Sequence, residues 1–194
     1  MKLTKKQQIE HKAKDLFWKH GFKKVSIDEI CKKANVSRKT FYTIYENKTA
    51  LVLYILKEMS DAAFEETRKI IEGEGSFALK LEKMLELKLE GSKEFSMEFV
   101  ADFYNPDATE ILEYFNTIIT ESMAMVYDFY KKAQENGEMN PEMNLDYVMW
   151  IMQKFVELCR TKELMGMFPD VETMTKQISQ SMIYGIMPVK SIRN

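Results

Sequence analysis

The chain has little of the chemistry that most enzymes need. Its 194 residues include only two histidines, two cysteines, seven glycines and four prolines. Because His11 and His20 both lie near the start, residues 21–194 offer no histidine for acid–base catalysis or metal binding. No glycine-rich phosphate loop, nucleophile motif or metal-ligand spacing occurs. We therefore predict that the protein is not an enzyme and expect neither a metal nor a cofactor.

Two further absences concern the cellular compartment. No segment approaches the ~20 consecutive apolar residues that span a bilayer. The N-terminal stretch MKLTKKQQIEHKAK is polar, unlike the apolar core of a signal peptide. Cys31 and Cys159 lie in apolar helical patterns, which is typical of free thiols in a reducing compartment. We expect a cytoplasmic protein with no membrane partner.

The charges that are present are unevenly distributed. Residues 1–50 carry 13 Lys and Arg against 5 Asp and Glu, whereas residues 51–194 carry 15 against 25. A basic N-terminal region on an acidic body favours attraction of that region to a polyanion. A solvated lysine-rich face is the alternative interpretation.

The stretch from Ser26 to Lys48 predicts a helix-turn-helix. Ser26 and Glu29 form a capping-box pattern at the start of its first helix. Asn35 tolerates the left-handed conformation that ends such a helix, and Ser37 is a residue type that starts the next one. Apolar residues follow the 3.6-residue period, which predicts a small three-helix core. The predicted core consists of Ile9, Ala13, Leu16, Phe17, Phe22, Ile27, Ile30, Ala34, Val36, Phe41 and Ile44.

The outer face of the second of these helices is polar. It carries Arg38, Lys39, Thr40, Tyr42 and Thr43, opposite its apolar side. Cations and hydroxyls of this kind bind phosphates, and long cationic donors suit base edges in a DNA major groove. The pattern therefore predicts a helix that reads DNA.

The rest of the chain also has helical periodicity, and no segment predicts a strand. The expected fold class is all-α with about nine helices, divided into a head over residues 1–50 and a helical body over residues 51–194. Breaks rich in Gly, Ser, Asn and Pro separate the helices of the body. Outside the helix-turn-helix, the expected helices span about residues 4–19, 48–72, 77–90, 94–104, 105–136, 142–165 and 170–187.

The head resembles the DNA-binding domain of the TetR family of transcriptional regulators. The motifs that carry this resemblance are Leu16-Phe17, Gly21-Phe22, VSIDEI at 25–30, VSRKTFY at 36–42 and YENKTAL at 45–51. They lie within residues 9–57, and their combination and spacing are specific. Asn35 departs from the family by replacing a turn glycine, and Lys39 by replacing a frequent glycine or alanine. Base readout is therefore expected to differ from that of relatives.

The resemblance implies that seven residues contact DNA. They are Ser26 and Lys48 at phosphates, Arg38 and Lys39 at base edges, and Ser37, Thr40 and Tyr42 at the backbone or thymine methyls. Helix capping alone would also explain Ser37 and Thr40. An ordinary surface aromatic would explain Tyr42, and a solvated lysine would explain Lys48.

The body carries more apolar surface than one core requires. Six apolar residues run from Tyr147 to Met152, which covers more than one helical face. A second copy of the chain is the simplest partner for the extra face, and the TetR resemblance implies dimerisation through the last two helices. The expected interface consists of Val148, Met152, Phe155, Cys159, Met174, Ile178 and Met182. The alternative is that both helices are buried within a monomer.

The middle helices are rich in aromatic residues and methionine. Fifteen methionines in the chain indicate the adaptable packing of a promiscuous apolar site, although such a stripe can also be ordinary core. The expected lining of an effector pocket is Phe99, Phe103, Tyr114, Ile118, Glu121, Ser122, Met125 and Trp150. Glu98, Asp102 or Glu121 could face a cationic ligand, or could be solvated.

Together these features predict a dimeric repressor. We expect it to bind palindromic double-stranded DNA and to be released by an unidentified small apolar or amphipathic effector. A DNA-anchored protein of the same fold that acts through a protein partner is the alternative, and an activator is also open.

Overall fold

The computed structural model describes residues 3–102, 109–159 and 161–186, with side chains described as far as residue 181. Within these residues every regular element is a helix, which confirms the all-α fold class. The helices are α1 (Lys5–His20), α2 (Ile27–Ala34), α3 (Arg38–Ile44), α4 (Lys48–Glu72), α5 (Phe77–Ser92), α6 (Met97–Asp102), α7 (Thr109–Glu135), α8 (Leu145–Leu158), α9 (Lys162–Met165) and α10 (Val171–Ile186).

One predicted helix is divided in the structure. The prediction of a single helix over residues 142–165 was wrong, because α8 ends at Leu158 and a new helix begins after Thr161. The Thr161 hydroxyl accepts a hydrogen bond from the Leu164 N–H at 3.2 Å, as an N-cap does. This cap starts α9 within a segment whose apolar pattern, taken alone, predicts one uninterrupted helix.

The chain forms two compact units, which differ from the expected division at residue 50. The first comprises Met1–Ala62 and Glu94–Asn116, and the second comprises Ala63–Lys93 and Thr117–Asn194. We call them the head unit and the body unit. The head unit is larger than expected because the first part of α4, α6 and the start of α7 belong to it.

The core of the head unit joins α1, α2 and α3 to the first half of α4. All eleven predicted core residues are either buried in this cluster or packed against it. Phe99 of α6 extends the cluster, since its ring centroid lies 4.7 Å from that of Trp18 and 6.2 Å from that of Phe22. This packing of aromatic rings attaches α6 to α1 and to the loop that follows it.

The core of the body unit is concentrated at one end of α5 and α7. Its buried residues are Phe77, Leu81, Val126, Phe129, Tyr130, Ala133, Met139 and Val148. Between Thr117 and Met125, by contrast, α7 contains no fully buried side chain although Ile118, Ile119 and Met123 are apolar. Among the helices described, none is long and apolar enough to cross a membrane.

Candidate nucleic-acid interface

The helix-turn-helix is held by the caps that the sequence predicts. The Ser26 hydroxyl accepts from the Glu29 N–H at 3.2 Å, and the Glu29 carboxylate accepts from the Ser26 N–H at 3.2 Å. Asn35 ends α2 in the left-handed region with φ 52° and ψ 50°. Asn is tolerated there because its short polar side chain can hydrogen-bond to the nearby backbone, which offsets part of the steric cost of that conformation. These contacts fix the direction in which α3 leaves α2.

α3 has one buried face and one exposed face. Phe41 is completely buried, whereas Arg38 and Lys39 are exposed and Tyr42 is 47% exposed. Ser37 caps the helix by accepting from the Thr40 N–H at 3.0 Å, and the two hydroxyls lie 2.9 Å apart. Capping therefore accounts for Ser37, while a DNA contact by Ser37 or Thr40 stays a prediction.

Arg38 is oriented by two neighbours. A hydrogen bond with Tyr42 and then the charge of Asp28 raise the pKa of the Arg38 guanidinium. Its Nη1 lies 3.2 Å from Asp28 Oδ1. The pair is exposed and therefore screened by salt. Any phosphate or base that binds Arg38 must compete with Asp28, a carboxylate to which the sequence pattern assigned no role at the site.

Lys48 at the start of α4 is tied to the loop that precedes α2. Its Nζ donates to the Val25 carbonyl at 2.8 Å and to the Lys23 carbonyl at 3.1 Å. Burial lowers the pKa of this ammonium, and the charge of Asp102 opposes that effect. Because an ammonium has three hydrogens, one donor remains for a ligand. Lys48 thus has a structural role that the sequence did not predict, and its predicted phosphate contact stays a prediction.

A cleft brings four of the seven predicted DNA contacts together. It has a volume of about 330 Å³ and is lined by Ser26, Ile27, Asp28, Arg38, Tyr42 and Lys48. Two cations and two hydroxyls in one cleft suit an anionic oxygen such as that of a phosphate. Ser37, Lys39 and Thr40 lie on α3 outside this lining.

Asp102 at the end of α6 holds the same loop from another side. Its Oδ2 accepts from the Lys23 N–H at 2.8 Å. Gly21, with φ 75°, lies so close that an added Cβ would collide with the Asp102 carboxylate. Asp102 is therefore engaged with the loop between α1 and α2, which explains its charge without the cationic ligand considered from the sequence.

Comparison with known proteins supports a DNA-binding role for this head. Residues 9–55 match the family model described as "Bacterial regulatory proteins, tetR family". The chain is 29% identical over 140 residues to the Escherichia coli K12 protein named HTH-type transcriptional regulator UidR, covering 71% of this chain and 70% of that one. The chain is a TetR-family regulator. It is thus a DNA-binding transcriptional regulator.

Solved structures share the TetR-like fold over nearly the whole chain. One is the transcriptional regulator FadR of Bacillus subtilis in complex with stearoyl-CoA, with a TM-score of 0.70 and 16% identity over 92% of this chain and 98% of that chain. Another is a transcriptional regulator of Saccharomonospora viridis in complex with choline, with a TM-score of 0.72 and 16% identity over 93% and 96%. At this level of identity the likeness concerns the fold alone.

The predicted effector residues of this TetR-family chain fall into both compact units. In the head unit, Phe99 packs with Trp18 and Phe22, and the Tyr114 hydroxyl lies 3.0 Å from the Ser60 hydroxyl. These contacts explain both side chains without a ligand. The body unit contains Ile118, Glu121, Ser122, Met125 and Trp150. Phe103 lies outside the described residues.

The predicted dimer residues of α8 lie on its inner face. Val148 is buried in the body core and Met152 packs against that core, while Phe155 and Cys159 follow at the same helical spacing. Met174 of α10 is also buried, Ile178 is partly buried, and the Met182 side chain lies outside the description. Packing within the chain accounts for Val148 and Met152, while a dimer contact by these α8 side chains stays a prediction.

Another face of α8 exposes large apolar side chains, with Lys154 between Trp150 and Leu158 at the same helical spacing. Tyr147 is 57% exposed, Trp150 is 54% exposed and Leu158 is 48% exposed. The sequence pattern places Trp150 in the effector pocket, and that assignment stays a prediction. The six apolar residues from Tyr147 to Met152 indicate that α8 has two apolar faces. They do not indicate which of the two faces is buried.

Proposed function

We propose that the protein is a dimeric repressor that binds a palindromic operator and releases it when a small apolar or amphipathic molecule binds the body unit. The observation that carries the proposal is the cleft of Ser26, Arg38, Tyr42 and Lys48 beside the exposed face of α3. As a DNA-binding regulator, the protein is proposed to act in the cytoplasm.

The proposed contacts divide by chemistry. Arg38 and Lys39 contact base edges, where long cationic donors suit guanine. Ser26 and Lys48 contact a phosphate in the cleft, and Tyr42 contacts the backbone or a thymine methyl. Ser37 and Thr40 remain candidates for further backbone contacts. Phosphate contacts set the register of the head, and base contacts set its sequence preference.

We propose that two chains pair through the exposed α8 face formed by Tyr147, Trp150 and Leu158. A two-fold axis places the same patch on both chains, so each apolar face covers the other. Two heads joined in this way match a palindrome with half-sites about 34–36 Å apart or somewhat more.

Effector response is supported by fold neighbours that bind small molecules, stearoyl-CoA in one case and choline in the other. In this chain the loop between α1 and α2 is held both by Lys48 of α4 and by Asp102 of α6. Loss or displacement of either hydrogen bond would change the orientation of α2 and α3. An effector can drive such a change only if it binds the two states with different affinity.

Sequencing of genomic fragments captured by the purified chain tests the proposal. A repressor is expected to enrich one or a few promoter sites that contain a palindrome. An Arg38→Ala/Lys39→Ala double variant, as the matched control, is expected to lose that enrichment. Many dispersed sites would instead favour the alternative, a DNA-anchored protein that acts through a protein partner.

A further inference from the structure

A second cleft of the head unit lies between α1 and the segment that leads into α6. Its volume is about 620 Å³, which is within the usual range of small-molecule sites. Trp18 lines it from α1, and Phe95 and Ser96 line it from the other side. None of its lining residues is among the predicted DNA contacts or the predicted effector pocket. The DNA-binding role therefore leaves this cleft unexplained.

Two aromatic rings form the apolar part of the cleft. Trp18 is 5% exposed and Phe95 is partly buried. Their ring centroids lie 5.4 Å apart with the planes at 71°. The Lys14 ammonium lies over the Trp18 ring, 5.4 Å from its centroid. A flat aromatic ligand suits such a surface, because aromatic rings pack well edge to face and beside a cation.

Two hydrogen-bond donors of the cleft have no acceptor among the described residues. The first is the indole N–H of Trp18, a group that usually donates a hydrogen bond when its ring is buried. The second is the Ser96 hydroxyl, whose oxygen accepts from the Phe99 N–H at 3.1 Å while its hydrogen is left over. Because Trp18 and Ser96 both line the cleft, an acceptor from outside the chain can approach them there.

The lysines and carboxylates of the lining favour an anion. Lys14 and Lys19 line the cleft, and neither forms an ion pair with a described carboxylate. Of the two carboxylates in the lining, Asp15 already accepts from Lys12 at 3.2 Å, and Glu94 is exposed. The cations without a carboxylate partner therefore outnumber the remaining carboxylate, and a ligand that brings acceptors and negative charge is favoured.

We propose that this cleft binds a small aromatic carboxylate. The ring packs against Trp18 and Phe95, the carboxylate oxygens accept from the Trp18 indole, and Lys14 and Lys19 supply positive charge. The ligand lies where α1 meets α6, next to the hydrogen bond of 2.9 Å from the Ser96 N–H to the Trp18 carbonyl. The site is in the head unit, so it is separate from the effector site proposed in the body unit.

The indole N–H signals of the full chain give a direct test, because its two tryptophans are Trp18 and Trp150. Labelling tryptophan with ¹⁵N gives one indole N–H signal for each, and Trp150→Phe assigns them. The probes are 2-naphthoate, its neutral amide and 2-naphthylmethylammonium. We expect 2-naphthoate to move the Trp18 signal downfield until the site is saturated, the amide to bind more weakly, and the cation to bind most weakly.

A double variant of α1 separates the charge from the fold. Lys14→Gln/Lys19→Gln should weaken 2-naphthoate binding by about four- to twentyfold, because one exposed ion pair usually changes affinity by a factor of about two to five. Binding of the neutral amide should change little. Lys5→Gln/Lys57→Gln removes the same charge from exposed positions of the head unit outside the cleft and should bind like the wild type.

Three results would overturn the inference. The first is that no probe shifts the Trp18 signal to saturation, and the second is that the Lys14→Gln/Lys19→Gln variant binds 2-naphthoate as tightly as the wild type. The third is that 2-naphthoate shifts the Trp150 signal alone. That result would place the ligand in the body unit and favour the proposed effector response, so the two proposals fail separately.

Discussion

The head unit and the body unit are both helical, but they differ in how completely one chain fills its own core. In the head unit, all eleven residues predicted as core are buried or packed against the core. In the body unit, α7 buries no side chain fully between Thr117 and Met125, and α8 exposes Tyr147 and Trp150. The difference indicates that one chain suffices to build the DNA-reading surface. The body leaves apolar surface for the proposed second copy and effector.

The largest expected effect follows from breaking the proposed body interface. Trp150→Glu places a charge on the exposed face of α8 and should convert the proposed dimer to a monomer. DNA affinity for a palindrome should then fall by more than about a hundredfold, because linked heads gain about 10²–10⁴ from effective concentration. Light scattering coupled to size exclusion reports the mass, and fluorescence anisotropy reports the affinity. Ala63→Glu adds the same charge at an exposed position of the body unit on α4, away from α8 in sequence, and should leave the proposed dimer intact. A Trp150→Glu variant that remains dimeric would show that this face is not the interface.

The next largest effect concerns base readout by the head. Arg38→Ala or Lys39→Ala should reduce operator affinity by about five- to 150-fold and relax the preference for one or two base pairs. Competition binding against operators with single base changes measures both quantities. Lys69→Ala, which removes one cation from α4 in the body unit, is the control. If either α3 variant kept both the affinity and the base preference, that residue would not be a base contact.

Lys48 tests whether the head depends on a contact at its junction with α4. Lys48→Met removes donors to the Lys23 and Val25 carbonyls, so the melting temperature should fall. If Lys48 also contacts a phosphate, binding to all DNA sequences should weaken and the slope of log affinity against log salt should become shallower by about one. A lower melting temperature with an unchanged salt slope would show that Lys48 only positions the loop.

The smallest expected effect comes from Asp28. Asp28→Asn releases Arg38 from its carboxylate and removes a negative charge beside the DNA-facing surface. Affinity should rise by roughly two- to fivefold at low salt and by less at high salt, because the groups involved are exposed and screened. Anisotropy titrations at two salt concentrations measure the change. Weaker binding of the Asn variant would mean that Asp28 orients Arg38 for DNA rather than competing for it.

The head could be predicted in detail because its determinants are local. The Ser26 cap lies three residues from Glu29, and Asn35 ends α2 by its own backbone conformation. What escaped prediction joins distant residues. The carbonyls that hold Lys48 belong to Lys23 and Val25, and the carboxylate on the Lys23 N–H belongs to Asp102.

The body could be predicted only in outline. Because apolar residues cover two faces of α8, periodicity identifies a helix without showing which face is internal. The structure buries Val148 in the core and leaves Trp150 exposed.

The central claim is that each chain builds a complete DNA-binding head and that two chains pair through their bodies. The most direct test uses the operator found by genomic capture, as a full palindrome and as a single half-site. Native mass spectrometry and anisotropy together give the number of bound chains and the affinity. If two chains pair through their body units, we expect two chains on the palindrome. We also expect the affinity for the palindrome to be at least about a hundredfold higher than the affinity for the half-site. A single chain that binds the half-site as tightly as the palindrome would contradict the proposal.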